Sequence, residues 1–299
     1  MLTVGACLLV QTGVAEDVVP RGSQAALVSR AETGQTQPFT EGPAWWEGHI
    51  YFTDVSNDRI LRVPSTSAGT FPVKAEIFRE PTGRANGLQF DSRGRLLACE
   101  GGGAGGNRRV TRTEANGSIT VVAQKYRGKL LNSPNDLTLD TEGRVYFTDP
   151  RYGVRSGMEL DRESVYRIDP SGDVTRIIED VQRPNGIAIS SDQKTLYVID
   201  NNPEEGGARR VYAYSLRRDG SAGSRRLIHD FGTGRGGDGM CLDSQGNLYV
   251  TAGLNVSFSP AQDDSVKAGV HVFSPKGARL ALFRYWRIPS PTAPSETQI

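Results

Sequence analysis

Five copies of one cassette constrain this chain more than any other feature. Each copy opens on a polar residue, usually followed by Gly, and continues through a turn into a β-rich run. The copies are EGPAWWEGHIYFTD from Glu41, NGLQFDSRGRLLACE from Asn86, NDLTLDTEGRVYFTDP from Asn135, NGIAISSDQKTLYVID from Asn185 and DGMCLDSQGNLYVTAG from Asp238. Their first residues lie 45, 49, 50 and 53 positions apart. A period of about 40–50 residues built from short strands is the signature of propeller blades. In the third copy Leu137 and Leu139 alternate with polar residues, Thr141 to Arg144 form a hairpin turn, and Val145 to Thr148 are β-branched and aromatic. A second hairpin follows before the next cassette, as in SVYRIDPSGDVTRIIED from Ser164. Each unit therefore holds four strands, one blade. The 35 glycines and 16 prolines supply the turns this needs. No segment of helical length shows a 3.6-residue apolar period, and one all-β domain accounts for the chain.

Equivalent positions in a radial repeat occupy equivalent places around the axis, so Glu41, Asn86, Asn135, Asn185 and Asp238 are expected to converge. A ring of carboxylate and amide oxygens suits a hard divalent cation, calcium by preference, with magnesium, manganese or zinc as alternatives. No CxxC or HxxxH spacing exists, which disfavours a dedicated zinc site. The competing reading is that the heads merely cap turns, as Asn and Asp often do. A net charge of +1 argues against nucleic acid as the main partner and against stable membrane association. The oligomeric state is left open.

Residues 2–14 are apolar and Gly13-Val14-Ala15 offers small residues for cleavage, so residues 1–15 read as a signal peptide lacking a basic start. On that reading the chain is exported, periplasmic or secreted; otherwise it is cytoplasmic. Cys99 and Cys241 then remain, in strands of non-adjacent copies, and are expected as two buried free thiols.

Four linked motifs, FTEGPAW, SPNDLTLD with FTDPRYG, RPNGIAIS and GGDGMCLD, resemble the gluconolactonase/senescence marker protein (regucalcin) family. The resemblance runs from about Phe39 to Phe283. It implies a six-bladed β-propeller of four-stranded blades with a divalent ion in its central channel, hydrolysing small lactones. It implies Glu41, Asn185 and Asp238 as metal ligands, with Asn135 beside the metal or the substrate. Asp238 and Asp136 are the candidate general bases, each a carboxylate at or next to the ion.

Substrate contacts are expected from Asn135, from Arg151 and Tyr152 over the channel mouth, and from Arg109, which follows the GGGAGG run at Gly101. That run lacks the Lys-Ser/Thr of a phosphate loop and reads as an inter-strand loop. Animal members of the family carry an Arg where this chain has Ser133, which weakens a sugar-specific grip. The chain has no GxSxG elbow, and His49, His229 and His271 fall outside the cassette heads, in structural contexts. Asp54, Asp149 and Asp200 end equivalent strands and are expected to bond turn amides between blades.

The pattern fails at the end. A sixth cassette is due about 50 residues after Asp238, but RYWRIPSPTAPSETQI from Arg284 carries prolines that cannot donate to a sheet ladder. The expectation is an atypical tail over residues 284–299 and a last blade left incomplete, as by truncation or frameshift after about Phe283. The propeller domain would then span residues 16–283, an open ring with exposed strand edges. The family closes its ring with an N-terminal strand, expected here near Ala25 to Ala31, paired to the last blade. Two function classes follow: a metal-dependent hydrolase opening gluconolactone-like sugar lactones or related cyclic esters, and a non-catalytic propeller that binds calcium or a sugar or serves as an interaction scaffold.

Overall fold

The computed structural model describes residues 29–30, 38–65, 73–254 and 261–284. Among them stand five four-stranded antiparallel sheets, one for each cassette, and no helix. Blade 1 is Thr40–Trp46, His49–Asp54, Arg59–Pro64 and Glu76–Arg79. Blade 2 is Ala85–Phe90, Leu96–Glu100, Arg109–Thr113 and Ile119–Ala123. Blade 3 is Leu137–Leu139, Val145–Asp149, Ser164–Ile168 and Val174–Ile178. Blade 4 is Pro184–Ile189, Thr195–Asn201, Arg209–Leu216 and Ala222–Asp230. Blade 5 is Gly237–Leu242, Leu248–Ala252, Gly269–Phe273 and Arg279–Arg284. A short extra hairpin, Lys125–Tyr126 with Lys129–Leu130, precedes blade 3.

The core lies between successive blades. Leu97, Cys99 and Val110 of blade 2 pack on Leu137, Val145 and Phe147 of blade 3, where Phe147 stacks on Tyr166 at 5.5 Å between ring centroids. Separate clusters join blades 3 to 4, 4 to 5 and 1 to 2. The far face of blade 5 gathers Tyr249, Val270 and Val272 with Cys241, Ala281 and Phe283, and no other blade packs on it among the described residues.

Each inner strand sits hard against the next. A Cβ on Gly42 would stand 2.0 Å from the Asn86 carbonyl oxygen, and one on Gly87 2.7 Å from that of Asn135. One on Gly186 would stand 2.6 Å from the Asp238 carbonyl oxygen. The glycine that follows most cassette heads is thus required by the neighbouring blade.

The cassette motifs fold into strands as expected, with three differences. Five blades are described where the family resemblance implies six; residues 285–299, and the leader at residues 1–15, lie outside the described residues. Ser29–Arg30, from the segment expected to pair with the last blade, pairs in parallel with Val73–Lys74 before the outer strand of blade 1. Cys99 is buried as expected, whereas Cys241, on the face of blade 5 that no other described blade covers, is partly buried.

Candidate functional site

The inner strands break register where the heads occur. The ladder shifts between Glu41 and Ala44, between Ala85 and Leu88, between Pro184 and Ile187, and between Gly237 and Met240. A bulge re-aims the side chain it carries, here the head residue of these four cassettes. In blade 3 the strand starts later, and Asn135 N–H donates to the Thr148 carbonyl at 2.9 Å.

Carboxylates at the ends of the second strands hold the segments that lead into these heads. Asp149 Oδ1 accepts the Ser133 N–H at 2.7 Å and Oδ2 that of Asn132 at 2.8 Å. Asp200 Oδ1 accepts the Arg183 N–H at 2.7 Å, and Asp54 Oδ1 that of Phe39 at 3.2 Å. Ser133, Arg183 and Phe39 each stand two residues before a head. The expected bonds to amides between blades are therefore present, and they position the site.

Burial pushes the Asp149 carboxyl up to about 7, with the Asn132 and Ser133 N–H groups working the other way. Unfolded, the group titrates near ~3.9. Between about pH 4 and 7 the unfolded chain has lost a proton that the folded chain keeps, so stability falls as pH rises through that window. Asp149→Asn is expected to flatten this part of the stability curve. Thermal melts across the window check it, and a variant whose curve runs parallel to the parent's would exclude Asp149 as the source.

The heads surround a cavity of ≈330 Å³ lined by Glu41, Asn86, Asn135, Asp136 and Asn185, with Gly239 and Met240 on the blade 5 side. Asp238 joins them through Asn185, whose Nδ2 donates to Asp238 Oδ1 at 2.9 Å. The same Nδ2 lies 3.2 Å from Tyr152 Oη, which donates to the Asn201 carbonyl at 3.0 Å. Asp238 Oδ2 pairs with Arg235 Nη2 at 2.6 Å. Asp136 is tied to backbone on both sides, Oδ1 accepting from Leu137 N–H at 2.8 Å and Oδ2 from Ile187 N–H at 3.2 Å.

These groups perturb one another. Burial and the charge of Asp238 hold Glu41 well above the usual carboxylate range, with Arg235 opposing. Burial lifts Asp136 to about 7 against the pull of its two amide donors. Burial and the Asp238 charge raise the Tyr152 phenol. Two carboxylates whose charges repel in a buried cleft, flanked by amide oxygens, form an all-oxygen donor set of the kind hard divalent cations take. Glu41, Asn185 and Asp238, with Asn135 alongside, are the residues that would hold one. Among the described residues, no three His, Cys, Asp or Glu side chains gather at metal-binding distance, so such a site depends on its amides.

Of the other expected contacts, Tyr152 is at the cleft. Arg151 is buried, with Nη1 on the Asn132 carbonyl at 2.9 Å and Nε on that of Val154 at 2.8 Å. Arg109 pairs with the buried Glu100 at 2.7 Å, and its neighbour Arg108 donates to the Leu131 carbonyl at 2.6 Å. In both Arg109 and Arg151, a buried acceptor within reach already takes part of the guanidinium. Ser133 Oγ accepts the Gly102 N–H at 2.7 Å, so the glycine run is a loop packed on blade 3. His271 bonds the Lys267 carbonyl at 2.9 Å and His229 packs tilted against Phe273 at 4.4 Å between ring centroids, both structural. Arg235 was missed by sequence reasoning, although its place three residues before a candidate ligand was a usable signal.

Comparison with known proteins places the fold in a family. The SMP-30/Gluconolactonase/LRE-like region profile matches residues 39–295. A gluconolactonase of Zymomonas mobilis is 30% identical over 269 residues, covering 82% of this chain and 69% of that protein. The solved structure of a Xanthomonas campestris gluconolactonase superposes with a TM-score of 0.67 at 32% identity, over 83% of this chain and 76% of that one. Regucalcin of Agrobacterium tumefaciens, described as a calcium-binding protein, shares the fold at a TM-score of 0.61 and 18% identity, over 83% of this chain and 75% of that one. The chain belongs to the SMP-30/gluconolactonase/LRE-like family.

Proposed function

We propose that this chain is a lactonase that opens small lactones, gluconolactone-like sugars first and aliphatic lactones next, with a divalent ion, calcium by preference, in the cleft. The observation that carries the reading is the convergence of Glu41 and Asp238, from the first and last cassettes, on one buried cleft with Asn185 bonded to Asp238. A scaffold has no need to hold two repelling carboxylates there. When bound, the ion supplies positive charge that polarises a lactone carbonyl and acidifies water.

This chain's own residues divide the remaining work. Asp136 has both oxygens on backbone amides, so it braces blades 3 and 4. Asp238 instead meets side chains, Asn185 on Oδ1 and Arg235 on Oδ2, and is the carboxylate that accepts a proton from water once one of these side chains withdraws. The water oxygen then bonds the carbonyl carbon, the ring C–O bond breaks, and the proton passes to the leaving oxygen to give a hydroxy acid. Asn135 and Tyr152 flank this point and orient the ring. Ser133, engaged with Gly102, contributes no cationic grip, which favours a cleft tolerant of the lactone's substituents.

The test is a lactone panel assayed before and after chelation. Turnover is expected to fall to background on chelation and to return with calcium. A folded, calcium-loaded preparation that turns over no lactone would transfer the reading to a calcium- or sugar-binding propeller.

A further inference from the structure

Arg235 stands in the connector that leads into blade 5, and its setting is built. Its carbonyl accepts the Gly253 N–H at 3.1 Å, which fixes the backbone. The two residues after it are glycines for packing reasons. A Cβ on Gly236 would meet Arg209 Cβ at 2.9 Å, and one on Gly237 would meet Val250 Cγ1 at 2.8 Å. The connector is thereby pressed against its neighbours, and the guanidinium returns onto Asp238 Oδ2 at 2.6 Å. With Asn185 on Oδ1, both oxygens of Asp238 are taken.

The guanidinium serves more than its direct partner. Its charge also acts on Glu41, against the repulsion from Asp238 and Asp136. The pair is partly shielded, with Arg235 27% and Asp238 16% exposed, so solvent screens it incompletely. Within the described residues, Arg235 has no other carboxylate partner. The site therefore already contains one positive charge, placed on an oxygen of a residue that would hold a divalent ion.

We propose that Arg235 is an internal counter-cation of this site. It neutralises Asp238 and offsets part of the charge around Glu41 while no divalent ion is held, and it must leave Asp238 Oδ2 for an ion to be held. Guanidinium withdrawal and cation entry are then one event, and Arg235 sets the affinity threshold of the site. This rests on the metal-ion reading of Glu41, Asn185 and Asp238.

The test is calorimetric titration of calcium chloride into the chelator-stripped full chain, as parent, Arg235→Gln and Arg235→Lys. Removing the competing charge is expected to tighten calcium binding about tenfold or more in Arg235→Gln. Arg235→Lys, which keeps the charge but loses the planar fork, is expected to fall between the two. Thermal melts supply a second readout that loss of packing alone would not give. Without calcium the Gln variant should melt below the parent, and saturating calcium should raise its melting temperature by more than it raises the parent's. A parent that binds no calcium beside a Gln variant that does would support the proposal in its strongest form. Equal or weaker affinity in Arg235→Gln, with the parent binding normally, would overturn the proposal and leave the metal reading standing. Absence of binding in every variant would overturn both.

Discussion

Replacing Asp238 by Ala is expected to abolish calcium binding in calorimetry and to lower lactone kcat/KM by about 10³-fold or more, roughly 4 kcal/mol of transition-state stabilisation. The size follows from how many contacts end on this carboxylate. Its loss leaves Arg235 without its acid and Asn185 Nδ2 without one acceptor, and it relieves the charge that raises Glu41. The cleft then keeps Glu41, Asp136 and the Arg235 guanidinium, one negative group fewer than before. Asp238→Asn separates the roles: retained calcium binding with lost turnover would mark the carboxylate as the proton acceptor. An Ala variant that binds calcium as tightly as the parent would remove Asp238 from the ligand set.

The second large effect is on stability and contrasts two glycines at the same place in the repeat. Gly42→Ala is expected to cost about 3–4 kcal/mol, from overpacking plus a left-handed backbone. Its Cβ would stand 2.0 Å from the Asn86 carbonyl oxygen, at a φ of +51°. Gly239→Ala is expected to change stability by less than about 0.5 kcal/mol. There a Cβ meets only Thr251 Oγ1, at an ordinary 3.8 Å. Urea unfolding of both variants checks the pair. Equal damage at Gly239 would mean that something covers the blade 5 side of the cleft in solution.

Much of this arrangement was legible in the cassettes because a propeller repeats its geometry as faithfully as its sequence. The spacing of Glu41, Asn86, Asn135, Asn185 and Asp238 located the inner strands and the cleft together. The roles of Asp149 and Asp200 were legible too, since both end the same strand of successive blades. What the repeat does not encode is which long side chain finds which acceptor. Arg109 and Arg151 look available in a linear reading, yet Glu100 and the Asn132 carbonyl take their donors. Arg235 lies outside the repeated core, and only folding brings it onto Asp238. Blade 2 departs from its neighbours in the same way: it ends its second strand in Glu100, which collects Arg79, Arg109, Asn107 and Thr111 rather than backbone amides.

In blades 1, 3 and 4 the carboxylate ties from second strands to the approach segments split the blade into unequal halves. The inner hairpin carries the head residue and the tie that aims it, while the outer hairpin mainly fills space. That division makes the outer turns natural sites for grafted sequence. Gly117 and Gly172 turn between outer strands with nothing within 4 Å of an added Cβ, so a displayed epitope or reporter would meet open solvent. Gly220 occupies the same kind of turn but is unsuitable, since Tyr146 Oη and Arg144 Nε lie 2.7 and 2.9 Å away. The propeller thus doubles as a display scaffold whose cargo rides on the rim while its chemistry stays at the hub.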